Sequence, residues 1–421
     1  PAPAAGAPPA TAESLAQRAF LDAVIAFLRL YATSHGTAHE APTAALLGRL
    51  LAMVDEPTFL LVVRHLMAAG KELVRGIARS GDEAEELSAV RMVRLRGYEI
   101  LHDRLVTSND RRERRATSSL AHTAAAQLGG AAELGPLSGV MLHDLHTALE
   151  RIAPTLTASG AAGDDAQEAT DAVVAEVQWI VMCAEELLRL LGPAAVSKVT
   201  KGPLAQLCRA VPLLATKFAC KLAGIPAVVD ATKPQPEFRT TVRVLSRERS
   251  ALLSTLVTAL GSISQSLGFA LMVPHAAAFL TAALCTLNYA LYPAVQQAPG
   301  ASYLKPLLRR SLAALVAMLP ATWTLAQPWL SPMVTLATVR AAVEDAEAAE
   351  SSRLLLTELA SLLEPRIFFP AVTHALAQAS PARNSLGALF AAVVSVVERL
   401  SRAELKAMPD VMSCRVFTAA L

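Results

Sequence analysis

Arg310-Ser-Leu-Ala-Ala-Leu-Val-Ala-Met-Leu-Pro320 decides the fold. Beyond its first residue it is uncharged and apolar, and it ends in proline, which cannot donate the next helical hydrogen bond. It reads as a buried helix stopped at Pro320. A second apolar helix follows from Pro332-Met-Val-Thr-Leu-Ala-Thr-Val339. The phrase then recurs. Arg353-Leu-Leu-Leu-Thr-Glu-Leu-Ala-Ser-Leu-Leu-Glu-Pro365 repeats the first half, and Phe369-Pro370-Ala-Val-Thr-His-Ala-Leu-Ala-Gln378 repeats the second. Leu389 to Leu400, then Pro409-Asp-Val-Met-Ser-Cys-Arg-Val-Phe417, is a third copy. The first helices should end at Pro320, Glu364 and Leu400, a spacing of about 35 to 45 residues that suits stacked two-helix repeats. One such hairpin cannot bury its own apolar face, so neighbours must stack into a continuous core.

Working outward, the 421 residues are 53% hydrophobic and only 5% aromatic, with Ala and Leu dominant. That composition favours helix, and no alternating run of Val, Ile or Thr points to a sheet. The fold expected is all-α: an α-solenoid of seven to nine HEAT-like helical hairpins. Net charge is +2, from 38 Lys and Arg against 36 Asp and Glu, so any nucleic-acid contact must be local. Eight of the basic residues are Lys and the rest Arg. Arg suits bidentate contacts to phosphate or carboxylate, although a GC-rich genome gives the same bias. Cys183, Cys208, Cys220, Cys285 and Cys414 form no CxxC pair and each lies in an apolar run, as small buried hydrophobes do. The start, Pro1 to Pro9, reads as a flexible linker without a secretory signal, and the missing initial Met suggests a piece of a longer chain.

From Ser250 to Leu304 there is no Asp, Glu, Lys or Arg, and from Ser311 to Val339 there is none either. A bilayer span needs about 20 apolar residues, so length alone allows one. Repeated Ser and Thr, Pro274, His275, Asn288, Pro293, Gln327 and Pro328 interrupt these runs. The inner helices of a solenoid are apolar all round as well. The chain is therefore read as having no membrane partner, with a multi-span membrane protein as the alternative from another class.

Along the chain, Ala12 to Ser34 and Ala41 to Val54 make a first pair of helices. Gly81-Asp-Glu-Ala-Glu-Glu86 is an acidic helix start, where the dipole favours carboxylates. Ser108-Asn-Asp-Arg-Arg-Glu-Arg-Arg115 is the densest basic cluster. Arg111, Arg112, Arg114 and Arg115 read either as a solvated turn or as a contact to phosphate or an acidic partner. Arg309 and Arg310, placed at an expected helix start where cations are unfavourable, join them as RNA- or partner-binding candidates. His143 and His146 have helical i, i+3 spacing but no third ligand, so no metal site is expected. No P-loop, dinucleotide fingerprint, nucleophile elbow or kinase set occurs. Carboxylate pairs such as Glu185-Glu186 are expected on solvated faces. No catalytic residue, cofactor or enzyme activity is expected.

Ala89-Val-Arg-Met-Val-Arg-Leu-Arg-Gly-Tyr-Glu-Ile-Leu-His-Asp-Arg-Leu105, Leu256 to Leu280, Leu312 to Met333 and Leu362-Leu-Glu-Pro-Arg-Ile-Phe-Phe-Pro-Ala-Val372 carry a further signal. Together they resemble the C-terminal part of the large HEAT-repeat subunit of the UtpA subcomplex of the small-subunit processome, the HEAT repeat-containing protein 1 family. Gly97 departs from that family's Ala, and the Arg111 to Arg115 run has no role to transfer. The resemblance implies a non-catalytic scaffold of ribosome biogenesis in the nucleus and nucleolus. Its implied partners are other UtpA subunits and processome proteins, the 5′ external transcribed spacer of pre-rRNA, and a small nucleolar ribonucleoprotein. It would support processing toward 18S rRNA. The runner-up is a helical-repeat adaptor in nuclear transport or on the cytoskeleton. The organisation expected is a linker at 1–10, repeats at 11–223, a Pro-rich break at 224–244, repeats at 245–360, and the start of the family's C-terminal helical domain at 361–421.

Overall fold

A computed structural model describes residues 19–20, 22–24, 26–27, 38–39, 41–43, 45–46, 49, 102–103, 106, 174, 177–179, 181–183, 185–186, 201–225, 242–298, 301–339, 342, 344–378 and 385–401. The chain forms two compact units, Pro1–Val140 and Met141–Leu421. In the first, residues on both expected helices are helical, Val24 is buried, and the Thr43 hydroxyl donates to the His39 carbonyl at 2.7 Å.

Among the described residues the protein is mostly helical, with no strand. In the second unit, residues 177–179, 181–183 and 185–186 are helical, as is the short Pro293–Gln296, and the longer helices are α1 (Lys201–Thr216), α2 (Arg247–Met272), α3 (Ala276–Ala290), α4 (Lys305–Thr322), α5 (Leu330–Ala337), α6 (Ala346–Leu362), α7 (Pro365–Gln378) and α8 (Gly387–Arg399). A π-helical stretch, Lys217–Leu222, prolongs α1, and short 3-10 turns lead into α4 and α5. Two helices are capped as their sequences require. The Ser246 hydroxyl accepts from the Arg249 N–H at the start of α2, and the Asp345 carboxylate accepts from the Ala348 N–H at the start of α6.

The expected break before Pro365 is present, between α6 and α7. Pro320 does not stop its helix as expected: it lies inside α4, as Pro212 and Pro370 lie inside α1 and α7. Each removes one i→i−4 bond, yet Leu319 and Ala321, like Phe369 and Ala371, are buried on either side. Continuing the helix keeps those apolar neighbours packed, and this outweighs one lost bond. Helix α4 accordingly begins at Lys305 and runs past Pro320 to Thr322. Arg309 and Arg310 are its fifth and sixth residues rather than its start. At Gly268 the regular helix of α2 is interrupted: φ +66° and ψ 179° there are open essentially to glycine alone, and a last turn follows to Met272.

Packing runs from neighbour to neighbour. Helix α2 packs on α4, α4 on α6, and α6 on α8; beside them α1 packs on α3 and α5 on α7. Contacts fix the directions. Tyr303, just ahead of α4, bonds Leu245, just ahead of α2; Arg310 reaches Ser254; and Gly261 meets Ala314 and Ala317. Numbers rise together on both helices, so α2 and α4 are parallel. Arg309 joins Asp345 at the start of α6, and Arg399 donates to the Ala360 carbonyl near the ends of α8 and α6. Helices α2, α4, α6 and α8 thus form a row of successive contacts: α2 and α4 are parallel, α4 meets the N-terminus of α6, and α6 and α8 meet near their C-termini. Gly261 sits where α2 meets α4. A Cβ there would lie 3.3 Å from Ala314 Cα and 3.3 Å from Ala317 Cβ.

Among the described residues one helix, α2, is long and apolar enough to cross a membrane, and 56% of its most apolar window is buried inside the protein. Ser250, Ser254, Thr255 and Ser264, which interrupt its apolar run, are buried too.

Candidate interaction surface

A set of specific polar contacts gathers where α2, α4 and α6 begin. Its anchor is Leu245. The buried Leu245 N–H donates to the Tyr289 phenol oxygen at 2.9 Å, and the Tyr303 hydroxyl donates to the Leu245 carbonyl at 2.8 Å. Tyr289 is fully buried, and this burial pushes its phenol up to about 12. Both backbone groups ahead of α2 are therefore held by side chains 44 and 58 residues away.

Beside this clasp, Arg309 makes a two-pronged contact with Asp345. Nε donates to Oδ1 and Nη2 to Oδ2, both at 2.8 Å, while Nη1 donates to Glu347 Oε2 at 2.7 Å. The hydrogen bonds from Arg309 hold the Asp345 carboxyl down at about 2, against 3.8 normally. Asp345 thus caps α6 and receives α4 at once. A partner-binding role for Arg309 meets this competition, because its guanidinium is already engaged within the chain. Arg310, by contrast, is exposed, and its Nη1 donates to the Ser254 hydroxyl at 3.2 Å. Arg111, Arg112, Arg114 and Arg115 lie outside the described residues, as do His143, His146 and Cys414.

One sequence reading changes, and the cysteine reading holds with one addition. Glu185 is not on a solvated face: it is half-buried and accepts from the Ser262 hydroxyl of α2 at 2.6 Å. The cysteines are not all independent either. Cys183, Cys208, Cys220 and Cys285 are buried free thiols, but Cys220 and Cys285 hydrogen-bond to each other, which with burial drives the Cys220 pKa far upward. Their separation of 65 residues (285 − 220) left no sequence signal. Burial alone pushes Cys208 to about 12. Both thiols are thereby kept protonated and unreactive.

Ser331 and His374 share a hydrogen bond on α5 and α7. No group of three or more His, Cys, Asp or Glu that could hold a metal occurs among the described residues. The chain matches no known protein family, no curated protein and no solved structure.

Proposed function

We propose that this chain is a non-catalytic scaffold built as an α-solenoid of HEAT-like hairpins. The observation that supports the reading is the row of successive helix contacts from α2 to α8. Helices α4, α6 and α8 begin at Lys305, Ala346 and Gly387, each 41 residues after the last (346 − 305 and 387 − 346). That is close to the roughly 40 to 47 residues of a HEAT-type repeat. Each helix of the row touches its neighbours, and α3, α5 and α7 pack beside it. Such an array offers an extended surface to macromolecules rather than a closed pocket to a metabolite.

The process assigned to the scaffold comes from the sequence resemblance alone. It is ribosome biogenesis in the nucleolus, with UtpA and other processome proteins as partners, pre-rRNA and its small nucleolar ribonucleoprotein beside them, and processing toward 18S rRNA as the outcome. Affinity purification of the tagged chain from nuclear extract, with and without ribonuclease, tests both layers. Recovery of UtpA subunits that survives ribonuclease, together with 5′ pre-rRNA in the untreated sample, is the expected result. Recovery of transport or cytoskeletal factors instead would keep the scaffold and discard the process. Recovery of the chain only from the membrane pellet would discard both.

A further inference from the structure

Charge between residues 242 and 310 is lopsided. Arg243, Arg247, Arg249, Lys305, Arg309 and Arg310 face one acidic residue, Glu248. The fold collects them. Because α2 and α4 run parallel, with Tyr303 on Leu245 and Arg310 on Ser254, all six cations stand at the same end of the two helices. The helix dipoles add positive potential at that end. Arg309 is turned to Asp345 and Glu347 of the α6 end. Among the described residues no carboxylate lies within ion-pair distance of the other five. Arg243, Arg247, Lys305 and Arg310 are exposed, and the buried Nε of Arg249 has no hydrogen-bond acceptor. Glu344, Asp345, Glu347 and Glu350 then set an acidic border where α6 begins.

We propose that the shared N-terminal end of α2 and α4 binds the phosphodiester backbone of a nucleic-acid strand. Four of the five available cations are Arg, whose planar fork matches phosphate oxygens. Apolar exposure between them is small, at Val244, Ala251 and Pro306. A protein partner would be held by large anchors in desolvated pockets, whereas a row of guanidiniums fits repeating phosphates and fixes a strand's position without reading its bases. The acidic border limits the strand to the α2–α4 side. The proposal goes beyond the scaffold reading and does not depend on it. The purification above can fail while this surface binds, and the reverse.

The test uses the full chain, fluorescein-labelled oligouridylate and matching oligothymidylate, and fluorescence anisotropy across a salt series. Counterion release gives a slope of about −0.7 in log K against log salt per phosphate contacted on a single strand, so five contacts give roughly −3.5. The triple variant Arg243→Gln, Arg247→Gln, Arg310→Gln is expected to flatten the slope by about 2 and to lose about fivefold in affinity per removed contact at 0.1 M salt. Arg353→Gln, which removes a cation already held by Glu350, leaves both unchanged. Equal binding of the two oligonucleotides supports a backbone contact. An unchanged slope in the folded triple variant, a strong preference for one oligonucleotide, or equally tight binding of polyglutamate overturns the proposal. If the triple variant loses its far-UV circular dichroism, Arg243→Gln alone should still flatten the slope by about 0.7, and no change there overturns it as well.

Discussion

Replacing Gly261 by alanine sets two opposed effects against each other. In an ordinary helix interior the change gains about 0.5–1 kcal/mol, because glycine loses more backbone freedom on folding. Here the new methyl would sit 3.3 Å from Ala314 Cα, 3.3 Å from Ala317 Cβ and 3.5 Å from Ala314 Cβ. The first of these is backbone within the most extensive helix contact of the unit, so it cannot rotate away. Overpacking of this kind costs about 1–3 kcal/mol. Gly261→Ala should therefore range from neutral to about 2 kcal/mol destabilising, and Gly261→Val should reach the upper end of the overpacking cost. Ala317→Gly in the Gly261→Ala background removes one of the contacts and should show a coupling of about 0.5 kcal/mol or more. Urea unfolding followed at 222 nm measures this, with the transition of the Met141–Leu421 unit fitted separately because two units need not melt together. A stabilisation of about 1 kcal/mol in Gly261→Ala, with no coupling to Ala317→Gly, would refute a tight crossing of α2 and α4.

Further outcomes follow from other sites. Gly268→Ala meets no atom within 4 Å yet should cost about 1–3 kcal/mol, since the backbone conformation is hostile to any side chain; urea midpoints check it. Tyr289→Phe leaves the buried Leu245 N–H without its acceptor and should cost about 1–3 kcal/mol, with little change in helix content. Because the Tyr289 phenol is raised in the folded state, its contribution is complete below about pH 10 and is lost as pH rises through about 12; thermal melts at alkaline pH should fall less steeply in Tyr289→Phe. Asp345 has the opposite sign. Its lowered carboxyl stabilises above about pH 4, and that contribution fades as pH falls toward about 2. Asp345→Asn keeps a cap on α6 but releases Arg309, and acid melts should lose this component in that variant.

Helix itself was plain in the sequence, because long runs of Ala and Leu at low aromatic content leave no other regular structure to build. The apolar runs at Leu312–Leu319, Leu354–Leu362 and Leu389–Val397 were plain too, since each lacks the polar interruptions of a loop, and each falls in a helix. Helix ends were less readable. Pro320 is a strong stop signal locally, but its effect depends on how well the residues beyond it pack, and that is decided by helices far along the chain. Arg309 shows the same limit. Its charge marked it as a contact residue, whereas its partner Asp345 lies 36 residues away and is a cap first. The clustering of Arg243, Arg247 and Arg249 with Lys305 and Arg310 was hidden because an uncharged stretch of more than 50 residues separates the two groups, and only the parallel pairing of α2 and α4 closes it.

The two phenols on Leu245 also bear on how the molecule answers a mechanical load. A pull on the chain ahead of α2 passes the Arg243 N–H bond to the Ala223 carbonyl and then meets one residue whose N–H and carbonyl are tied to different segments, Tyr289 in α3 and Tyr303 ahead of α4. The two bonds are strained in the same instant rather than one after the other, so tension is shared between them and passed sideways into α3 and the approach to α4. Leu245 is in this sense a rivet, and the start of α2 should yield to force later than its single turn of backbone would suggest.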